Sequence, residues 1–175
     1  MKANAVKWGM LVAVNVWGLG GGVLHAQDEQ EVVSMVETAL AEFETPNGPI
    51  VQLESHFRCS GVERAEGGYC PVPYAETLLT EYASEQGLVL VAPPSASPGC
   101  ISNREEAQQD KGFRMTLGMQ RDPDGVVWAR IRLTCWTDAG AGGGGLLLQA
   151  YGYPFRLVDG AWKRSGEVES ITISP

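Results

Sequence analysis

Apolar and polar positions along this 175-residue chain fall into runs with recognisable periods. Val32, Val33, Val36, Leu40 and Phe43 recur at helical spacing, and Asp28, Glu29 and Glu31 put negative charge at the positive end of the helix dipole. A helix over 29–44 is predicted, ended by Pro46-Asn47-Gly48-Pro49. Val51, Leu53, Phe57 and Cys59 then alternate with Gln52, Glu54, His56 and Arg58, the pattern of a half-buried strand. Tyr74, Leu78, Leu79, Tyr82 and Ala83 form a second helical stripe behind Pro71 and Pro73, with Gly87 placed to close it. Leu88 to Val91 is a short apolar strand that enters a loop rich in Pro, Ser and Gly from Ala92 to Gly99.

The second half reads as hairpins. Phe113, Met115, Leu117 and Met119 alternate with polar or small residues, as do Val127, Ala129, Ile131, Leu133 and Cys135. Between the two runs lies Asp122-Pro123-Asp124-Gly125, which suits a three-residue loop with a glycine bulge. That loop pairs Arg121 with Val127, Met119 with Ala129, Leu117 with Ile131, Met115 with Leu133 and Phe113 with Cys135. Turn chemistry and apolar alternation give this register independently. A further hairpin joins Leu147–Val158 to Ala161–Ile173 at Asp159-Gly160, and Gly152 and Pro154 predict a bend or bulge in its first strand. The order of elements predicts an α+β domain, with two helices packed on a curved antiparallel sheet of about five to six strands. This architecture resembles the cystatin-like and NTF2-like rolls, and Leu157-Val158-Asp159-Gly160-Ala161-Trp162-Lys163 is similar to a hairpin common in the latter. A β-sandwich with peripheral helices is the alternative.

The N-terminus changes the picture of where the domain works. Met1, Lys2 and Lys7 give a basic start, Trp8 to Leu24 is uncharged and largely apolar, and Leu24-His25-Ala26 ends in a small residue. This is the layout of a secretory signal peptide cleaved after Ala26. A spanning helix needs about 20 apolar residues, and this run is diluted by Asn15, Gly18, Gly20, Gly21 and Gly22. A single domain over 27–175 is expected, secreted or periplasmic, with no membrane span of its own. In that setting Cys59, Cys70, Cys100 and Cys135 read as two disulfides. Local closure favours Cys59–Cys70 and Cys100–Cys135, which would stabilise by about 3 and about 4 kcal/mol on the chain-entropy model. No pair has the spacing of a structural zinc site, and no C-x-x-C is present.

Charge is spread unevenly. Residues 27–110 carry 15 acids against Arg58, Arg64 and Arg104, whereas residues 111–175 carry 6 acids and 8 bases. The acidic first half excludes a nucleic-acid footprint there. Signs of catalysis are few. His56 is the one histidine left after cleavage and sits on a polar strand face; no G-x-S-x-G elbow accompanies it. The Gly140–Gly145 stretch contains G-x-G-x-x-G but lacks the following helix of a nucleotide-binding unit, so it reads as a loop between strands. Glu63 and Glu66 read as solvated loop residues, and Asp122, Asp124 and Asp159 as turn residues. No metal site, cofactor or catalytic residue is assigned.

One face holds candidate chemistry. With the odd-numbered side chains of the Phe113–Trp136 hairpin in the core, Arg114, Thr116, Gln120, Trp128, Arg130, Arg132, Thr134 and Trp136 share the other side. Trp128, Arg130, Arg132, Trp136 and Arg114 make a basic, aromatic stripe of the residue types that dominate binding hot spots. Such a stripe suits an anionic ligand or an acidic protein partner. The competing expectation is that this face is covered, with its tryptophans in a core and its arginines paired to acids of the first half. The sequence therefore points to an exported, disulfide-stabilised, non-catalytic binding module. A structural or assembly-related envelope protein is one alternative; a small carboxylate-dependent hydrolase or isomerase in a roll-type pocket is the other.

Overall fold

The computed structural model describes residues 26–44, 48–60, 73–93, 97–100, 111–137 and 145–174. In chain order the elements are α1 (Ala26–Glu42), β1 (Ile50–Glu54), β2 (Arg58–Ser60), α2 (Pro73–Gln86) and β3 (Val89–Val91). They are followed by β4 (Phe113–Arg121), β5 (Val127–Thr137), β6 (Gly145–Val158), β7 (Ala161–Arg164) and β8 (Glu169–Ile173). The class is α+β, and the strands form one open, eight-stranded sheet in the order β3-β1-β4-β5-β6-β7, with β2 also on β4 and β8 also on β6.

The expected antiparallel sheet is corrected in its first half. β1 runs parallel to both β3 and β4, and β2 runs parallel to β4, so the sheet is mixed. The physical reason is the crossover: α2 carries the chain back across the sheet, and β3 therefore re-enters beside β1 in the same direction. The strand expected over Val51–Cys59 is interrupted at Ser55–Phe57 and divides into β1 and β2, both lying along one side of β4. Gly118 permits the close approach of β2, because a Cβ there would stand 2.6 Å from the Arg58 carbonyl oxygen.

The β4–β5 hairpin has the register that the turn dictates, from Arg121↔Val127 through Met119↔Ala129 and Leu117↔Ile131 to Arg114↔Thr134. Gly125 takes φ 84° and the Asp122 amide donates to the Val126 carbonyl, closing the glycine-bulge loop. Phe113 and Cys135 do not pair. The strands part there because residues 97–100 enter between them, with Gly99 bridged to both Lys111 and Trp136. Cys100 donates to the Trp136 carbonyl and Trp136 donates to that of Pro98, and the Cys100–Cys135 disulfide pins the wedge in place. Cys59 is also disulfide-bonded; Cys70, its expected partner, lies outside the described residues, as do Glu63 and Glu66.

β6 is a continuous ladder against β5, and the irregularity expected at Pro154 falls on its other side. There β7 pairs Phe155–Val158 and β8 pairs Leu148–Gly152, with a break over Ser165–Val168 between them. Pro154 accepts from the Ser165 amide but has no N–H to return, so the ladder is interrupted where its donor is missing. Both helices lie on one face of the sheet. Val32, Met35, Val36 and Ala39 of α1 and Leu79 and Ala83 of α2 bury against Met115, Leu117, Ile131, Leu133, Tyr153 and Phe155. The Trp162 indole donates to Glu31 and Arg164 donates to Glu42, both on α1, tying that helix to β7.

Candidate functional site

The face away from the helices is built in rows across the strands. One row runs Arg58–Gly118–Arg130–Gly152–Glu169, taken from β2, β4, β5, β6 and β8. The next contains Thr116–Arg132–Ala150–Ile171, and the one after it Gln52–Arg114–Thr134–Leu148–Ile173. Trp128 and Pro154 lie at one end, Trp136 and Leu146 at the other. Arg58, Arg114, Arg130 and Arg132 are thereby gathered on one surface from strands far apart in sequence.

Their environments differ. Arg130 lies flat over Gly152, where a Cβ would meet its Nη1 at 2.0 Å, and its guanidinium stands 4.5 Å from the Trp128 ring centroid. Its Nε donates to Gln120 Oε1 and its Nη1 reaches Glu169 Oε2 at 3.3 Å. The Trp128 indole N–H donates to Asp122 at 2.7 Å. Arg114 is buried and donates to Gln52 Oε1 from Nε and Nη2. Arg58 binds the two oxygens of Glu54 at 3.0 and 3.3 Å, and Thr116 Oγ1 donates to the same carboxylate at 3.1 Å. Glu54, only 3% exposed, is the buried counter-charge of the cluster.

Arg132 is different from the other three. It is exposed and has no hydrogen-bond or ion-pair partner among the described residues. Its pKa is lowered by partial burial and then by the positive charges of Arg58 and Arg130. That of Arg114 is lowered first by burial, with Glu54 opposing and Arg58 reinforcing the shift. Of the four guanidiniums, that of Arg132 thus stands exposed with no ion pair or hydrogen bond among the described residues. Trp136, 47% exposed, stands farther along the same face.

The structure thus brings Trp128 and Arg130 together, places Arg114 beneath the surface, and leaves Arg132 and Trp136 open. Sequence reasoning set Glu54 and Arg58 on a polar strand face without joining them to this surface. The i,i+4 acid–base pair at alternating polar positions was the available signal; only the parallel placement of β1 and β2 beside β4 brings it into the cluster. Gly152 was read as a sign of bending, whereas it is the floor over which Arg130 crosses β6.

A cleft of about 480 Å³ opens beside Trp128 and Pro154, between the β4–β5 turn and the β7–β8 connection. Its carboxylates are largely engaged: Asp122 by Trp128 and Gln120, Asp124 by Arg156, and Glu169 by Arg130. Among the described residues no group of three or more His, Cys, Asp or Glu is disposed to hold a metal ion. His56 is exposed in the turn between β1 and β2, with Nδ1 3.1 Å from Ser55 Oγ, remote in the chain from the cleft residues. The glycine-rich stretch lies outside the described residues up to Gly144; Gly145 opens a strand, and Thr137 Oγ1 donates to its carbonyl. Comparison with family models, curated proteins and solved structures finds no match.

Proposed function

We propose that this protein is an exported, disulfide-stabilised binding module that captures an anionic group at Arg132. The observation that carries the reading is the exposed Arg132 guanidinium, which has no counter-ion among the described residues and lies near the guanidiniums of Arg58 and Arg130. A carboxylate, sulfate or phosphate oxygen accepts charge-assisted hydrogen bonds from such a group. The surrounding arginines are held in place by Glu54, Gln52, Gln120 and Glu169, so the site needs little reorganisation to bind. Binding and release, without bond-making, is the activity these groups support. Export agrees with the Cys100–Cys135 disulfide, since such bonds persist in oxidising compartments.

The reading is tested by thermal unfolding in phosphate, sulfate or acetate against chloride at matched ionic strength. Stabilisation specific to one of these anions is expected in the wild type and absent in Arg132→Gln. Equal stabilisation of both proteins overturns the site. Native mass spectrometry of the protein from its own host tests export: processing after Ala26 gives the mass of Gln27–Pro175, whereas an unprocessed chain overturns that part.

A further inference from the structure

Beside Arg132, the same sheet face turns apolar. Ile171 and Ile173 of β8 are 57% and 54% exposed, and Leu146 of β6 is 42% exposed beside Trp136. The ladders place them on one side: Trp136 opposite Leu146, Leu148 opposite Ile173, and Ala150 between Arg132 and Ile171. These residues occupy neighbouring rows of β5, β6 and β8, and Arg132, which has no ion-pair or hydrogen-bond partner among the described residues, stands at their margin. Scattered exposed apolar residues need no explanation, but several on neighbouring rows of one face, bordered by an exposed cation, do.

Resting on the anion-binding reading above, we infer that this face docks on an anionic lipid bilayer, with Arg132 on a headgroup phosphate and Trp136, Leu146, Ile171 and Ile173 against the acyl boundary. The argument is charge complementarity joined to apolarity. An acidic globular partner satisfies the arginine but offers no reason for four large apolar side chains around it. A free phosphate likewise leaves the isoleucines in water. An anionic leaflet meets both needs at once, and a tryptophan suits the interfacial depth, where an apolar ring and a polar N–H are both accommodated. Neighbouring strands of one sheet face present these side chains together, so several insert without any segment refolding.

Co-sedimentation of the protein, as its host makes it, with vesicles tests the inference. Phosphatidylcholine alone is compared with phosphatidylcholine containing phosphatidylglycerol. Binding is expected on the anionic vesicles and weak on the neutral ones, falling with added salt. Arg132→Gln is expected to weaken the partition about fivefold, the worth of one cation near an anionic surface. Ile171→Ser, at an exposed position, should weaken it about tenfold. Equal partition on the two vesicle types, or binding indifferent to both substitutions, overturns the proposal. If vesicles are not bound but phosphate stabilises the wild type and not Arg132→Gln, the membrane inference fails while the anion site stands. If neither occurs, both fail. Vesicle binding lost in Ile171→Ser but retained in Arg132→Gln also overturns it, because the headgroup contact is then absent.

Discussion

A single missing Cβ organises the arginine row. Arg130 can cross β6 to reach Glu169 only because residue 152 is glycine, and a methyl group there would coincide with the guanidinium. Gly152→Ala must expel Arg130 from its place over Trp128. The expected cost is about 1–3 kcal/mol, as for other overpacked sites, read as a lowered urea midpoint with unchanged m. Glu54 is the opposite case, a buried carboxylate holding one arginine and one hydroxyl. Glu54→Ala leaves Arg58 and Arg114 without the buried counter-charge beside them, and a loss of about 2–3 kcal/mol is expected. Arg132→Gln removes no hydrogen bond or ion pair with the described residues, so its urea midpoint should match that of the wild type. These three measurements separate residues that build the face from the one that faces outward.

At the scale of elements, the wedge at residues 97–100 deserves the closest test. It forces β4 and β5 apart below Arg114↔Thr134 and is itself held by the backbone bonds to Trp136 and by Cys100–Cys135. Replacing both cysteines with serine should cost about 4 kcal/mol, the chain-entropy value for a loop of this length. Amide exchange locates the loss. The Cys100, Gly112 and Trp136 amides should lose protection, while the Leu117 and Ile131 amides in the hairpin centre remain slow. The same scale shows how Pro154 acts. It leaves the β5–β6 ladder intact and breaks only the outer one, turning the chain between β7 and β8 and opening the cleft beside Trp128.

For the molecule as a whole, the two faces of the sheet do different work. The helix-covered face contains the buried core and the phenol of Tyr153, whose pKa is pushed up to about 12. Burial is the main cause; Glu42 adds to it and Arg164 opposes it. Burial also raises Tyr82 and Tyr151. A tyrosine raised in the folded state favours its protonated, native form. Its stabilising effect is complete below the unfolded value near 10 and is lost as pH rises from there through about 12. Stability should therefore fall across that window, and absorbance near the phenolate band should show these tyrosines ionising late and with unfolding.

Much of this architecture was legible in the chain before any coordinates. The two apolar stripes predicted α1 and α2 to within a few residues, because helical burial is written at a period the sequence displays directly. The β4–β5 register followed from Asp122–Gly125 and the alternation around it, since a tight turn and a half-buried face each permit one pairing. The same register put Arg114, Trp128, Arg130, Arg132 and Trp136 on one side of the hairpin. Tertiary structure alone decided the rest. The direction of β1, β2 and β3 depends on a crossover whose landing side no local pattern specifies. The insertion of residues 97–100 is a long-range event at the foot of an otherwise regular hairpin. Which arginine stays open was also a tertiary outcome: Glu54 and Gln52 of β1 and Glu169 of β8 engage Arg58, Arg114 and Arg130. Partners separated by up to 62 positions are brought within hydrogen-bond reach only by the sheet, so side-chain types determined the chemistry available and strand order determined where it is used.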